Sequence, residues 1–309
     1  MFEARAHLTD FIHWLNEEVG GEGPLPNLKH GDYGKIIGDS LARHFAENRQ
    51  RSGVRMSNIG KPAVITALAK LGYSEPEPKG KSRFIFHIGD IFENFIEVML
   101  QVYGIEILDT QTTHKHMGIT GHSDYTIKSP VTGEPVVVEA KTMSDNYHRM
   151  FHRDQDDNRG YVSQLAMYSA SSGYPATWIT FNKGNGVTSE AVPNPGQFYA
   201  VLDRAQAVLK RLADVRDERH ILASSGGKFI APPPRPEIFR RQETGRFILH
   251  PSVAYSPFAS ALYLLTDDVN GYGKATRYVD GYADYDHMIR ELESLRESGK
   301  VEYDESIRP

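Results

Sequence analysis

The 309-residue chain contains no cysteine. Disulfides, cysteine-ligated zinc ribbons and iron–sulfur clusters are therefore excluded, and the composition suits a reducing compartment. No stretch approaches the roughly 18 uninterrupted apolar residues of a membrane span. Met1-Phe2-Glu3-Ala4-Arg5 lacks the basic-then-apolar order of a secretory leader. A cytoplasmic protein with no membrane partner is expected. An excess of positive charge is missing too: 35 Lys and Arg against 40 Asp and Glu give a formal net charge of -5. A protein that coats nucleic acid nonspecifically is usually basic, so any such site must be a local basic groove on an acidic body.

What is present reads as helices at the front and an α/β core behind them. Residues 1–80 are expected to be helical with loops: a helix over Phe2–Val19 broken by Gly20–Pro24, a second over Tyr33–Arg49, and a third over Pro62–Leu71 stopped by Gly72, with Ser74–Lys81 a loop. Ile88 to Tyr103 carries apolar residues at helical spacing and stops at Gly104. Ile105–Thr112, Ile119–Lys128 and Pro135–Lys141 read as strands, followed by an irregular charged stretch. A helix over Tyr161–Ala170, strands over Ala176–Phe181 and Val187–Val192, and a long helix from Pro195 to about His220 complete the core. Residues 224–246 are loop-rich, and a last helix spans Tyr285–Ser298.

The residues that carry chemistry fall on those elements. Gly121-His122-Ser123-Asp124-Tyr125 is followed by Val136-Val137-Val138 and then Glu139-Ala140-Lys141. Positions i and i+2 of a strand share a face, so Glu139 and Lys141 project together while Ala140 turns away. The valines predict a strand buried on both sides, and charge at its end needs a reason. A metal ion held by two carboxylates, with an ammonium beside it to act on an anionic substrate, supplies one. Glu93 sits on the otherwise apolar face of the Ile88–Tyr103 helix, in Gly89-Asp90-Ile91-Phe92-Glu93. Gln164 and Tyr168, four residues apart, share a helix face. His122 is left outside the ligand set, because it joins Asp124 on one face only if the strand is regular there.

In this order and on these element types, the residues resemble the PD-(D/E)xK nuclease superfamily. Gln-x-x-x-Tyr and Gly-x-x-x-Glu make the chain similar to its exonuclease branch, the lambda-type (YqaJ-like) phage exonucleases and RecB-type nuclease domains. The likeness spans Phe84–Tyr168 and, more loosely, Arg55–Gly60. It implies an α/β restriction-endonuclease-like core: helix, three-stranded antiparallel meander, helix and strand, in a mixed central sheet flanked by helices. Residues 1–82 would be a helical N-terminal region, 83–222 the core and 223–309 a C-terminal extension that the resemblance leaves unassigned. Ser123 stands where the family name has proline, and the subgroup with an iron–sulfur cluster is excluded.

The resemblance implies that Glu93, Asp124 and Glu139, with the Ala140 backbone carbonyl, bind one or two Mg²⁺ (or Mn²⁺) ions. Lys141 would activate or orient the attacking water, and Gln164 and Tyr168 would support the site. Hard carboxylate oxygens suit Mg²⁺, and paired ions in two-metal nucleases lie about 4 Å apart. For holding DNA, Arg55, Ser57 and Lys61 precede a helix start, where phosphate binds well; some relatives grip a terminal 5′-phosphate there. Arg149 and Arg153, with His148 and His152, are expected in a loop placed to touch a DNA strand. His114-Lys115-His116 is expected to be a solvated hairpin.

The implied function is a metal-dependent DNA exonuclease of phage recombination or DNA processing, in the host cytoplasm if phage-encoded. Its expected partners are DNA ends, further copies of itself in a ring, and a single-strand-binding or annealing protein. A restriction-like or structure-specific endonuclease on the same core, and a non-catalytic DNA-end-binding protein, are the alternatives.

Overall fold

The computed structural model describes residues 4–19, 53–76, 80–155, 157, 159–221, 238–240, 245–249, 251–254, 256–269 and 275–307, with positions 35, 38 and 42. The helix expected over Tyr33–Arg49 and the break at Gly20–Pro24 lie outside the described residues, those isolated positions apart. The chain forms two compact units that interleave in sequence. One comprises Met1–Arg49, Glu77–Asp156 and Val162–Leu202; the other comprises Gln50–Pro76, Asp157–Tyr161 and Asp203–Pro309. Among the described residues no helix is long and apolar enough to cross a membrane.

The first unit is a mixed α/β fold around a five-stranded sheet. Its strands, in spatial order, are β1 (Ile107–His116), β2 (Ile119–Lys128), β3 (Pro135–Met143), β4 (Ala176–Asn182) and β5 (Thr188–Ala191). All neighbours are antiparallel except β3 and β4, which are parallel. Met117 and Gly118 join β1 to β2 with φ of 47° and 80°; positive φ at both central residues matches the right-handed twist of the flanking strands. A parallel pair needs a long crossover, and here it contains α3 (Asp145–Asp154) and α4 (Tyr161–Ser172). β3 is central, and Val136, Val137 and Val138 are each fully buried.

The other elements of this unit are α1 (Thr9–Trp14), continued by a π-helical turn over Leu15–Val19, α2 (Lys81–Tyr103), and the start of α5 (Pro195–Leu212). Phe92, Ile96, Met99 and Leu100 of α2 bury one stripe against Leu8, Phe11, Tyr125, Ile127, Val136, Val138 and Ile179. Each such side chain contributes roughly 1.5–3 kcal/mol by burial. Gly104 ends α2 in the left-handed conformation, its N–H returning to Gln101 and Leu100 carbonyls. The Glu190 carboxylate on β5 accepts from the backbone N–H of both His7 and Leu8 at 2.8 Å, which fixes the approach to α1.

Three elements differ from expectation. α2 begins at Lys81 rather than Ile88; apolar periodicity does not mark its first turns, where Phe84, Ile85 and Phe86 are 65%, 51% and 53% exposed. The charged stretch after β3 is not irregular but contains the helix α3, whose inward face carries His148 and His152 beside Phe151. α5 stops at Leu212, and a separate 3-10 turn over Glu218–His220 follows, capped by Asp217 accepting from the Arg219 N–H.

The second unit holds the helix Ala63–Lys70, a short ladder pairing Tyr73–Ser74 with Glu302–Tyr303, and an antiparallel sheet. That sheet has the order β6 (Ile238–Arg240), β7 (Phe247–Leu249), β9 (Ala275–Tyr282), β8 (Tyr263–Val269). β6 corrects the loop expected over 224–246, most of which lies outside the described residues. α6 (Tyr285–Glu297) follows, with Asp284 accepting from the His287 N–H at its start. Gly72, at φ 94°, is required where it stands: a Cβ there would lie 2.2 Å from the Asp304 carbonyl oxygen.

Candidate active site

The site forms where two strands part. β2 and β3 pair from Lys128–Pro135 to Tyr125–Val138, and the ladder then stops. The next two residues in that register are Asp124 and Glu139, and their carboxylates replace the missing backbone partners. Asp124 Oδ2 accepts from the Ala140 N–H at 2.7 Å, and Glu139 Oε2 from the Asp124 N–H at 3.4 Å. A buried N–H left unpaired is costly, so the fork holds both acids in place.

Glu139 is 2% exposed. Its Oε1 accepts from Lys141 Nζ at 2.5 Å and from Gln164 Nε2 at 2.9 Å. The second N–H of Gln164 goes to the Tyr168 hydroxyl at 2.8 Å, which in turn donates to the His122 carbonyl at 2.7 Å. One turn of α4 thus buttresses β2 and β3 together. Glu139 and Lys141 share a face, while Ala140 packs into the core on the other. The His122 side chain is exposed; its backbone, not its ring, joins the site.

Glu93 reaches the fork from α2, which crosses β3 closely enough that a Cβ at Gly89 would lie 3.9 Å from Thr142 Oγ1. Burial, then the charges of Asp124 and Glu139, hold the Glu93 carboxyl well above the ordinary carboxylate range. Asp124 is raised chiefly by burial, while Lys141, the Ala140 N–H and a hydrogen bond from Glu93 pull it back. Glu139 is raised to about 7 by burial and by Asp124, against the pull of Lys141.

Among the described residues, no three acidic or histidine side chains converge as a ready-made ligand set. The donor chemistry nevertheless fits a divalent cation. Burial first, and then neighbouring carboxylates, raise Glu93, Asp124 and Glu139, and Lys141 pulls each of them down, so an added cation would meet three carboxyl groups whose charge it favours.

Sequence reasoning missed three supporting residues. Tyr125 is fully buried and donates its hydroxyl to the Glu93 backbone carbonyl. Gln111 Nε2 donates to Glu93 Oε1 at 2.6 Å. His114, expected in a solvated hairpin, is 3% exposed: its Nε2 meets Ser123 Oγ at 2.9 Å and its ring stacks on Tyr168 at 4.7 Å. The only local signal for the first was adjacency to Asp124; the other two contacts cross between elements.

The basic residues fall on different elements. Arg149 and Arg153 lie on the helix α3, not in a loop, and are 70% and 73% exposed, paired to Asp145 and Asp154. Arg55, Ser57 and Lys61 belong to the second unit. Ser57 is exposed in a 3-10 turn, Arg55 precedes that turn and donates its backbone N–H to Asn58 Oδ1, and Lys61 pairs with Glu75 at 3.4 Å.

His148 and His152 face inward, ring centroids 4.4 Å apart, both against Thr180 Oγ1 at 3.2 and 2.7 Å. Thr180 donates its own proton to the Ser189 carbonyl, so each ring presents an N–H. Burial and then His148 push His152 down to about 4. The unfolded chain, with a value near 6.5, therefore binds this proton first. His152 favours the fold fully above pH 6.5, and that contribution is lost as pH falls from there toward 4. Thermal melts across this window should show a steep acid loss for the parent protein and a shallower one for His152→Gln, whose amide can still donate to Thr180. Equal slopes would refute the assignment.

No family model and no curated protein matches the chain. Among solved structures it is similar to SSO0001, at 12% identity and a TM-score of 0.32, over 58% of this chain and 87% of that one. It is likewise similar to an alkaline exonuclease (LHK-Exo) from Laribacter hongkongensis, at 12% identity and a TM-score of 0.29, over 58% and 92%. Neither similarity is close enough to assign chemistry, which rests on the side chains at the fork.

Proposed function

We propose that the chain is a divalent-metal-dependent deoxyribonuclease and, within that class, an exonuclease working from DNA ends. One observation carries the reading: the parting of β2 and β3 gathers Asp124, Glu139 and Lys141 at a point that Glu93 reaches from α2 and Gln164 reaches from α4. Three carboxyl groups with one ammonium suit metal-assisted phosphodiester hydrolysis. Glu93, Asp124 and Glu139, with the Ala140 carbonyl, would hold Mg²⁺ or Mn²⁺, in one or two sites. The ion, when bound, supplies Lewis acidity toward the phosphate oxygens and the departing oxygen. Lys141 orients the attacking water and offsets charge on the phosphate. Glu139 holds the Lys141 ammonium, Gln164 holds Glu139, and Tyr168 holds Gln164. The exonuclease assignment rests on the Gly89-x-x-x-Glu93 and Gln164-x-x-x-Tyr168 patterns.

The test is digestion of end-labelled single- and double-stranded DNA, with and without a 5′-phosphate, in Mg²⁺, Mn²⁺ or chelator, beside covalently closed plasmid. Metal-dependent shortening from ends with closed circles spared is the expected result. Efficient cutting of closed circles would convert the reading to an endonuclease. End binding without cleavage would convert it to a binding protein.

A further inference from the structure

Glu93 is held by a residue whose backbone departs from its strand. Gln111 lies in the middle of β1 with φ of 51°, the left-handed region that residues other than glycine seldom occupy. It stands across from Asp124 in the β1–β2 register, which pairs Thr110 with Tyr125 and Thr112 with Ser123. Gln111 is exposed, so packing does not force the bend. What the bend accompanies is the contact of Gln111 Nε2 with Glu93 Oε1 at 2.6 Å. On the neighbouring strand, Tyr125 holds the backbone carbonyl of the same glutamate. Local backbone strain of this kind clusters at functional sites because a required geometry maintains it.

We propose that Gln111 is a positioning residue that aims the Glu93 carboxyl group at the bound cation. This rests on the reading of Glu93 as a cation ligand. The amide donates to one oxygen of Glu93, and the same carboxyl group lies within hydrogen-bond reach of Asp124. As an uncharged donor, Gln111 restrains the group without competing as a counterion, which a lysine there would do.

Two substitutions separate the contact from the bend. Gln111→Gly removes the amide and suits positive φ; Gln111→Ala removes the amide and keeps the strain. Mn²⁺ affinity is measured by calorimetry, the Mg²⁺ dependence of DNA cleavage by titration, and the thermal midpoint beside both. Both variants should bind Mn²⁺ about tenfold more weakly than the parent and need correspondingly more Mg²⁺, while Gln111→Gly melts at or above the parent temperature and Gln111→Ala below it. Parental Mn²⁺ affinity in Gln111→Gly would overturn the proposal, because the residue would then serve only the bend. A parent protein that binds Mn²⁺ yet cleaves no DNA defeats the nuclease reading and leaves the Mn²⁺ comparison decisive for Gln111. A parent protein that binds no divalent cation overturns both.

Discussion

Lys141→Met is expected to slow DNA cleavage by about 10²–10³-fold or more, the scale of losing one charge-stabilising donor at a reacting centre. The variant should still fold and still bind DNA. Lys141 is the cation that pulls down Glu93, Asp124 and Glu139 alike. Without it, Glu139, already raised to about 7, is pushed further up, toward its uncharged form. The substitution therefore removes the water-orienting ammonium and weakens a ligand at once. Stability should change little, because protonation relieves the unpaired buried charge that would otherwise be costly, and methionine fills much of the lysine stem's space. Cleavage of labelled DNA, band-shift binding and a thermal melt read the three effects separately. Unchanged cleavage by Lys141→Met would remove the fork from the mechanism.

Trp178→Ala should cost about 3–5 kcal/mol, the usual penalty for deleting a large aromatic from a core. Trp178 is fully buried on β4, in register with Glu139 on β3, and its ring meets Phe151 of α3 edge-on at 5.1 Å. The lost ring would leave a cavity between the sheet and α3. Unfolding of a unit of this size should shift down by roughly 10 °C, from about 2–4 °C per kcal/mol. Trp178→Phe is the control. The indole N–H has no hydrogen-bond partner among the described residues, so a phenyl ring forfeits no hydrogen bond and should restore most of the loss. A Trp178→Ala midpoint within a degree or two of the parent would show that the sheet and α3 are not coupled through this ring.

Much of the site was legible because it lies where sequence periodicity is strict. The valine run announced a central strand, and the two-residue repeat placed Glu139 and Lys141 on one face of it. The four-residue spacing of Gln164 and Tyr168 became a direct hydrogen bond. The mixed five-stranded sheet also follows the expected order of elements.

What stayed hidden had a physical reason in each case. α3 turns polar histidines inward, so it has no apolar stripe to read. Phe84, Ile85 and Phe86, in the first turns of α2, are exposed and form no buried apolar stripe. Gln111 reaches Glu93 through a left-handed backbone that composition does not signal, since glutamine has no special tolerance for it. Two strands of the C-terminal sheet, Ile238–Arg240 and Phe247–Leu249, are too short to show an alternation, and the pairing of Tyr73 with Tyr303 joins residues from opposite ends of the second unit's sequence.

At the fork, the Ala140 amide proton is bonded to a side-chain carboxylate instead of a neighbouring strand. It is therefore a built-in spectroscopic probe. Its nuclear resonance position and exchange with deuterated solvent are set by the charge on Asp124, so titrating a cation or a proton onto that carboxylate can be followed at one backbone nitrogen, with no substrate present and no residue altered.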